Sequence, residues 1–177
     1  METIIHVWPM PNSHSHAKLH CGHTIMAAVI GKNGVTTSKH EGDMATPVGQ
    51  FTLRKVFYRA DRTHPPHTLL PVEALTPHDG WCDDPASPSY NQHIIRPCPA
   101  RHEALWREDH LYDLIVVIGY NDSPALPGRG SAIFMHLKHP EGTPTEGCVA
   151  LTEQDLRTVL QSGATAITIH AVEATPV

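Results

Sequence analysis

Apolar residues gather along this chain in short runs set between turn residues, and few stretches carry helical spacing. Ile25 to Ile30 reads IMAAVI and ends at GKNG, with Val35 and Thr36 following. That pattern predicts a strand, a glycine-rich turn and a second strand. In TPVGQFTL, Thr46 to Leu53, Pro47 and Gly49 punctuate, and then Phe51 and Leu53 alternate with polar partners. The alternation predicts a strand that continues as the amphipathic RKVFYRAD to about Asp61. Leu114 to Ile118 (LIVVI) is continuously apolar and closed by Gly119, which reads as a buried central strand. Ser131 to Met135 is another, with His136 at its end, and Ala166 to His170 closes as the last strand.

Two stretches read as helix. Thr152 to Gln161 has a plausible N-cap in Thr152 with Asp155 three residues on, an apolar face of Leu156, Val159 and Leu160, and Gly163 just past the end. Ala100 to Asp109 (ARHEALWRED) predicts a short helix with Leu105 and Trp106 inward. Between Arg62 and Pro99 the chain is dense in proline, histidine and aspartate, with GWCDDPASPSYN in its middle. This reads as a long ordered excursion with little regular structure, since Trp81 and Tyr90 favour order. The sum is a mainly β (α+β) chain with one or two short helices, one domain over 1–177 with its core at about 25–170.

Composition narrows the function classes. The chain has 177 residues, 40% of them hydrophobic and 18% charged, with a formal net charge of −5. It has no Lys/Arg-rich block, so nucleic acid has little electrostatic support as a partner. No apolar run approaches the ~18 residues of a membrane span. The opening, METIIHVWPMPNSHSHAKLH, does not read as a signal peptide. It lacks a basic n-region, and His6 and Pro9 interrupt its short apolar run. A cytosolic protein, export by another route, or a signal no longer carried by this chain are all left open. Sixteen prolines and twelve glycines predict many turns.

Four cysteines, Cys21, Cys82, Cys98 and Cys148, are widely spaced with no C-x-x-C, against a zinc ribbon or a thioredoxin-type site. Fifteen histidines include a cluster, His14, His16, His20 and His23 around Cys21. A solvated, His-rich segment over 1–23 is the simpler reading of that cluster than a transition-metal site.

The densest chemistry lies in FMHLKHPEGTPTEGCVAL, Phe134 to Leu151. Three readings of Cys148 compete: a small buried hydrophobe, a ligand of a zinc site with His136, His139 or Glu146, and a nucleophile. A cysteine attacks as its thiolate, and a neighbouring imidazole raises that fraction by taking the proton and holding an ion pair. His136, on a strand, has the rigid mount a base needs. Gly147 lets substrate approach the backbone, and N–H groups there can bind an oxyanion.

The segment resembles the active-site motif of the YkuD-type L,D-transpeptidases, in which a strand ends in a histidine and a loop leads to Ser/Thr-x-Gly-Cys. The matching residues are His136, Thr145, Gly147, Cys148 and Val149. The upstream TPVGQF resembles a second family feature, TPxGxF, and IGKNGV fits the hairpin before it, so the resemblance covers roughly Ile25 to Ile169. The family's usual histidine between Ser/Thr and Gly is Glu146 here, its Arg or Asn two after the cysteine is Ala150, and the usual glycine after the histidine is Leu137. The GWCDDP excursion and the stretch from Trp106 to Ser131 look like a proteobacterial subgroup.

The resemblance implies a single β-sandwich or barrel-like domain, located in the periplasm or cell envelope, that needs no cofactor and no metal. It implies acyl transfer between peptidoglycan stem peptides as donor and acceptor. Cys148 forms a thioester, His136 acts as base, the Leu137 backbone carbonyl orients His136, and the Gly147 backbone donates to the oxyanion. The products are diaminopimelate–diaminopimelate or L-Ala–diaminopimelate cross-links, or trimmed peptides where water resolves the thioester. Carbapenem reactivity is implied too. Arg129 could hold a stem-peptide carboxylate; Thr145, Tyr120, Asn121, Trp81, His110 and Tyr112 are further candidates for substrate contact. A zinc-dependent peptidase and a non-catalytic wall-binding module are the rival classes. If Cys148 is the nucleophile it stays free, so at most one disulfide forms, with Cys82 and Cys98 the nearest pair.

Overall fold

The computed structural model describes residues 2–173. Its strands in chain order are β1 (Thr3–Pro9), β2 (His16–Cys21), β3 (Thr24–Val29), β4 (Val35–Thr36), β5 (Thr46–Pro47), β6 (Gly49–Tyr58), β7 (Val72–Ala74) and β8 (Asp79–Cys82). They continue as β9 (His93–Ile95), β10 (His102–Ala104), β11 (Leu114–Ile118), β12 (Phe134–Leu137), β13 (Val149–Leu151) and, after helix α1 (Glu153–Gln161), β14 (Ala164–Ile169). The main sheet runs β11-β12-β13-β3-β2-β1-β14-β6, and β6 also pairs with β11. Eight strands therefore close into a barrel-like ring. The ten-residue β6 makes the closure possible, pairing with β14 through Gly49–Thr52 and with β11 from Leu53 onward.

Two apolar clusters explain why LIVVI is apolar throughout. Leu114, Val116 and Ile118 point into the main core with Ile5, Leu19 and Met135, whereas Ile115 and Val117 point the other way, into a second cluster with Phe57, Trp81, Phe134 and Cys148. Strand alternation puts successive side chains on opposite faces, so a strand covered on both needs no polar positions. The second cluster is covered by a small sheet, β10-β8-β9, whose β8 and β9 come from the excursion and β10 from the stretch after it. Helix α1 packs its Leu156, Val159 and Leu160 into the main core. Thr152 caps it by accepting from Asp155 N, and Gly163 has φ +82°.

Several expectations need correction. The segment 1–23 is not a solvated extension: β1 and β2 lie inside the ring, and Ile5, Val7, Ala17, Leu19 and Cys21 are buried. The alternation was present, with His16, Lys18 and His20 outward and Ala17, Leu19 and Cys21 inward, but the density of histidine masked it. Ala100 to Asp109 is not helical. His102–Ala104 pairs antiparallel with β8, and Trp106 instead lies under the Arg59 guanidinium at 3.5 Å. A helix of ten residues is marginal by itself, and sheet pairing over an existing core outcompetes it. Val35–Thr36 does not fold back on β3 but pairs in parallel with β5. The excursion carries three short strands of its own, β7, β8 and β9. All four cysteines are free thiols, so the Cys82–Cys98 pairing is not formed.

Candidate active site

Strand alternation on β12 sends Met135 and Leu137 into the main core and turns Phe134 and His136 to the opposite face. β13 runs parallel beside it, with His136 opposite Ala150. The loop joining them, residues 138–148, returns the chain so that Cys148 precedes β13 on the same face as Phe134. Its anchor is Thr145. The backbone N–H of Thr145 donates to Ile30 O at 3.1 Å, and its carbonyl accepts from Lys32 N at 2.9 Å. Its hydroxyl donates to Cys148 O at 2.6 Å and accepts from Gly147 N at 3.1 Å. Gly147 has φ +140°, and a Cβ there would lie 2.9 Å from Ala45 O, so both conformation and space call for glycine.

The Cys148 thiol is buried and donates to Ala132 O at 3.2 Å, while Phe134 N donates to the sulfur at 3.4 Å. Burial pushes its pKa up to about 12; the Phe134 N–H opposes this, and the Glu103 and Glu146 charges add to it. His136 is also buried, and burial pulls it down to about 4, with the Arg107 charge adding and the Leu137 carbonyl opposing. Its Nδ1 lies 2.8 Å from Leu137 O. A carbonyl only accepts, so Nδ1 carries the proton and Nε2 presents its lone pair. At neutral pH the resting pair is thus a thiol and a neutral imidazole, not the ion pair the residue types suggested. Ala132, which holds the thiol, has φ +54°. Asn91 supports it: Asn91 Oδ1 accepts from Ala132 N and Trp81 Nε1, while its Nδ2 donates to the Tyr120 and Asn121 carbonyls.

Both Cys148 and His136 line one cavity of about 590 Å³. Of the substrate-contact candidates, Thr145 and Tyr112 line it too. The Tyr112 ring lies edge-on to His136 at 5.3 Å, and its hydroxyl donates to Glu103 Oε1 at 3.0 Å. The other candidates stand outside. Trp81 is buried against Phe134. Tyr120 donates its hydroxyl to Arg129 O, and Asn121 ties together the loop at Leu126 and Gly130. The exposed Arg129 is not on the cavity wall, and His110 is turned outward against Asp113. The Gly147 N–H is taken by Thr145, which corrects its assignment as oxyanion donor; the Cys148 N–H has no partner among the described residues. Sequence reasoning missed Lys39, Arg101, Glu103 and Arg107, all on the cavity wall. The last three come from the stretch read as helix, which would have turned their side chains in other directions than the strand and turns it forms. Among the described residues no group of three or more His, Cys, Asp or Glu is placed to hold a metal ion, so His136, His139, Cys148 and Glu146 do not form a ligand set. No helix among them is long and apolar enough to cross a membrane.

The family model of the L,D-transpeptidase catalytic domain, YkuD, matches residues 19–172. Neither the curated proteins nor the solved structures yield a match.

Proposed function

The chain belongs to the YkuD family of L,D-transpeptidase catalytic domains, and from that premise we propose that it cross-links peptidoglycan stem peptides through a thioester on Cys148. The observation that carries this reading is the common face of Cys148 and His136 on one cavity, with Nδ1 of His136 tied to Leu137 O and Nε2 left as a base. A donor stem peptide enters with its scissile carbonyl at the sulfur. His136 Nε2 takes the thiol proton as sulfur attacks, because the resting thiol is neutral. The oxyanion faces the Cys148 N–H, and Thr145 fixes the peptide that carries it. The proton then passes from His136 to the leaving amine. A second stem peptide's amine resolves the thioester to a cross-link, and water resolves it to a trimmed peptide.

Diaminopimelate–diaminopimelate and L-Ala–diaminopimelate cross-links are the two product classes, in the periplasm or cell envelope. Glu146 and Ala150 stand where relatives carry other groups, which keeps the second class in play. Incubation with purified disaccharide-tetrapeptide and mass spectrometry of the products separates them by the bond cut. Turnover that survives Cys148→Ala and is lost to a chelator would transfer the assignment to a metallopeptidase. Binding of the muropeptide without turnover would leave only a wall-binding module.

A further inference from the structure

The charges on the cavity wall are unevenly paired. Lys39 binds Asp43 at 2.5 Å, Arg101 binds Asp83 at 3.1 Å, and Arg107 binds Asp109 at 2.6 Å. Glu41 accepts from Tyr90 and Ser131 hydroxyls and lies 3.9 Å from Arg101. Each cation is thus already held by a carboxylate. Glu103 and Glu146 form no ion pair among the described residues. Glu146 is exposed at the rim, whereas Glu103 is half-buried. The recorded hydrogen-bond partner of the Glu103 carboxyl is the neutral Tyr112 hydroxyl, whose ring abuts His136. The site beside the nucleophile therefore carries an uncompensated negative charge, which a substrate cation can satisfy.

Aminolysis of a thioester needs such a group. The acceptor amine is an ammonium at neutral pH and has no lone pair for attack. It must lose two protons on becoming an amide nitrogen. One goes to His136 Nε2 and on to the departing sulfur, restoring the thiol. The other needs a second acceptor. Resting on the reading of Cys148 as the acylated nucleophile, we propose that Glu103 is the acceptor-amine residue: its carboxylate binds the primary ammonium of the incoming stem peptide and takes the first proton. The free amine then attacks the thioester carbonyl, the C–S bond breaks, and Glu103 later releases its proton to solvent. Burial raises the Glu103 carboxyl to about 7; Tyr112 and Arg107 oppose this, and Asp83 and Glu146 add to it. A carboxyl titrating there binds the ammonium as an anion and still accepts its proton.

The test gives disaccharide-tetrapeptide to wild-type, Glu103→Gln and Tyr112→Phe proteins across pH 5–9, following acyl-Cys148, hydrolysed monomer and cross-linked dimer by mass spectrometry. In Glu103→Gln, the dimer-to-hydrolysis ratio should fall about tenfold or more, with acylation slowed far less. The wild-type ratio should show a rise centred near pH 7 that Glu103→Gln lacks. Tyr112→Phe keeps the carboxylate but removes the hydrogen bond that favours its charged form, so that rise should move to higher pH. A ratio unchanged in Glu103→Gln, or acylation and aminolysis lost to the same degree, overturns the role of Glu103 alone. A wild-type protein that never acquires an acyl group on Cys148 overturns the nucleophile reading and this one with it.

Discussion

The Thr145 hydroxyl donates to the Cys148 carbonyl at 2.6 Å, and the same oxygen accepts from Gly147 N–H. One side chain thus satisfies polar groups on both sides of the peptide that carries the Cys148 N–H. Thr145→Val keeps the shape and leaves both groups unpaired, at a cost of about 1–3 kcal/mol each where they are buried. Acylation should slow by roughly 10–100-fold while Thr145→Ser retains most of the rate. The backbone bonds of residue 145 to Ile30 and Lys32 survive either change, so the loop should stay in place. Equal rates for the valine and serine variants would show that the hydroxyl plays no part.

The two pKa shifts set a stability profile. His136 is held neutral, down to about 4, against an ordinary value of about 6.5. The unfolded chain therefore binds a proton that the folded one refuses between those values. Its contribution is fully present above about 6.5 and is lost as pH falls toward 4. Cys148 is shifted the other way, up to about 12. Its contribution is present below the ordinary value of about 8.5 and is lost as pH rises above it. Denaturant midpoints should fall on both flanks, less steeply in acid for His136→Gln and less steeply in base for Cys148→Ala. Slopes unchanged in both variants would contradict the burial that causes the shifts.

The same shifts mark the limit of what residue types can tell. A cysteine and a histidine in one motif suggest an ion pair, but whether the charge forms depends on solvent access, and that depends on the β10-β8-β9 cover built from the excursion and the stretch after it. The strands with clean alternation or a continuous apolar run, β3, β6, β11 and β12, were legible, as was the capped α1. So was the likeness of Thr145, Gly147 and Cys148 to a family motif, because local backbone demands fix those residue types in a short span. β1 and β2 were not read: in β2 the outward positions are His16, Lys18 and His20, and in β1 the outward Ile4 and Trp8 blur the alternation with buried Ile5 and Val7. Glu103 was illegible for a different reason. Its place on the cavity wall follows from the pairing of β10 with β8 across a long turn, and no local pattern records that pairing.

Asn91 should behave as a support for the thiol and not as a contact for substrate. Its side chain holds four groups, on Trp81, Ala132, Tyr120 and Asn121. Asn91→Ala leaves them without it, and the thermal midpoint should drop by roughly 5–10 °C, given about 1–3 kcal/mol for a buried orphan and 2–4 °C per kcal/mol at this size. Because Ala132 O accepts from Cys148 Sγ, the rate of Cys148 acylation should fall with it. A variant that melts early yet acylates at the wild-type rate at low temperature would separate Asn91 from the thiol.

Carbapenem acylation tests Cys148 and His136 as the proposed catalytic pair without any acceptor. Opening the strained lactam needs a sulfur nucleophile, a group that takes its proton and returns it to the ring nitrogen, and a donor at the oxyanion. Cys148 should gain one drug mass, located by peptide mapping, and Cys148→Ser should lose most of the labelling. Because burial keeps the thiol neutral, with its pKa near about 12, no preformed thiolate can carry the reaction when the base is removed. His136→Ala should therefore slow acylation by the full general-base range, roughly 10²–10⁴-fold. The pH profile follows from the same state. Neutral imidazole is the competent form, so the rate should hold from neutral pH down through about 5 and fall only as His136 protonates near about 4. A preformed ion pair would instead lose rate on acidification where its thiolate protonates, and His136→Ala, with no imidazolium to hold the thiolate, would move that loss to higher pH. An adduct on Cys21, Cys82 or Cys98 with Cys148 unmodified would end the assignment.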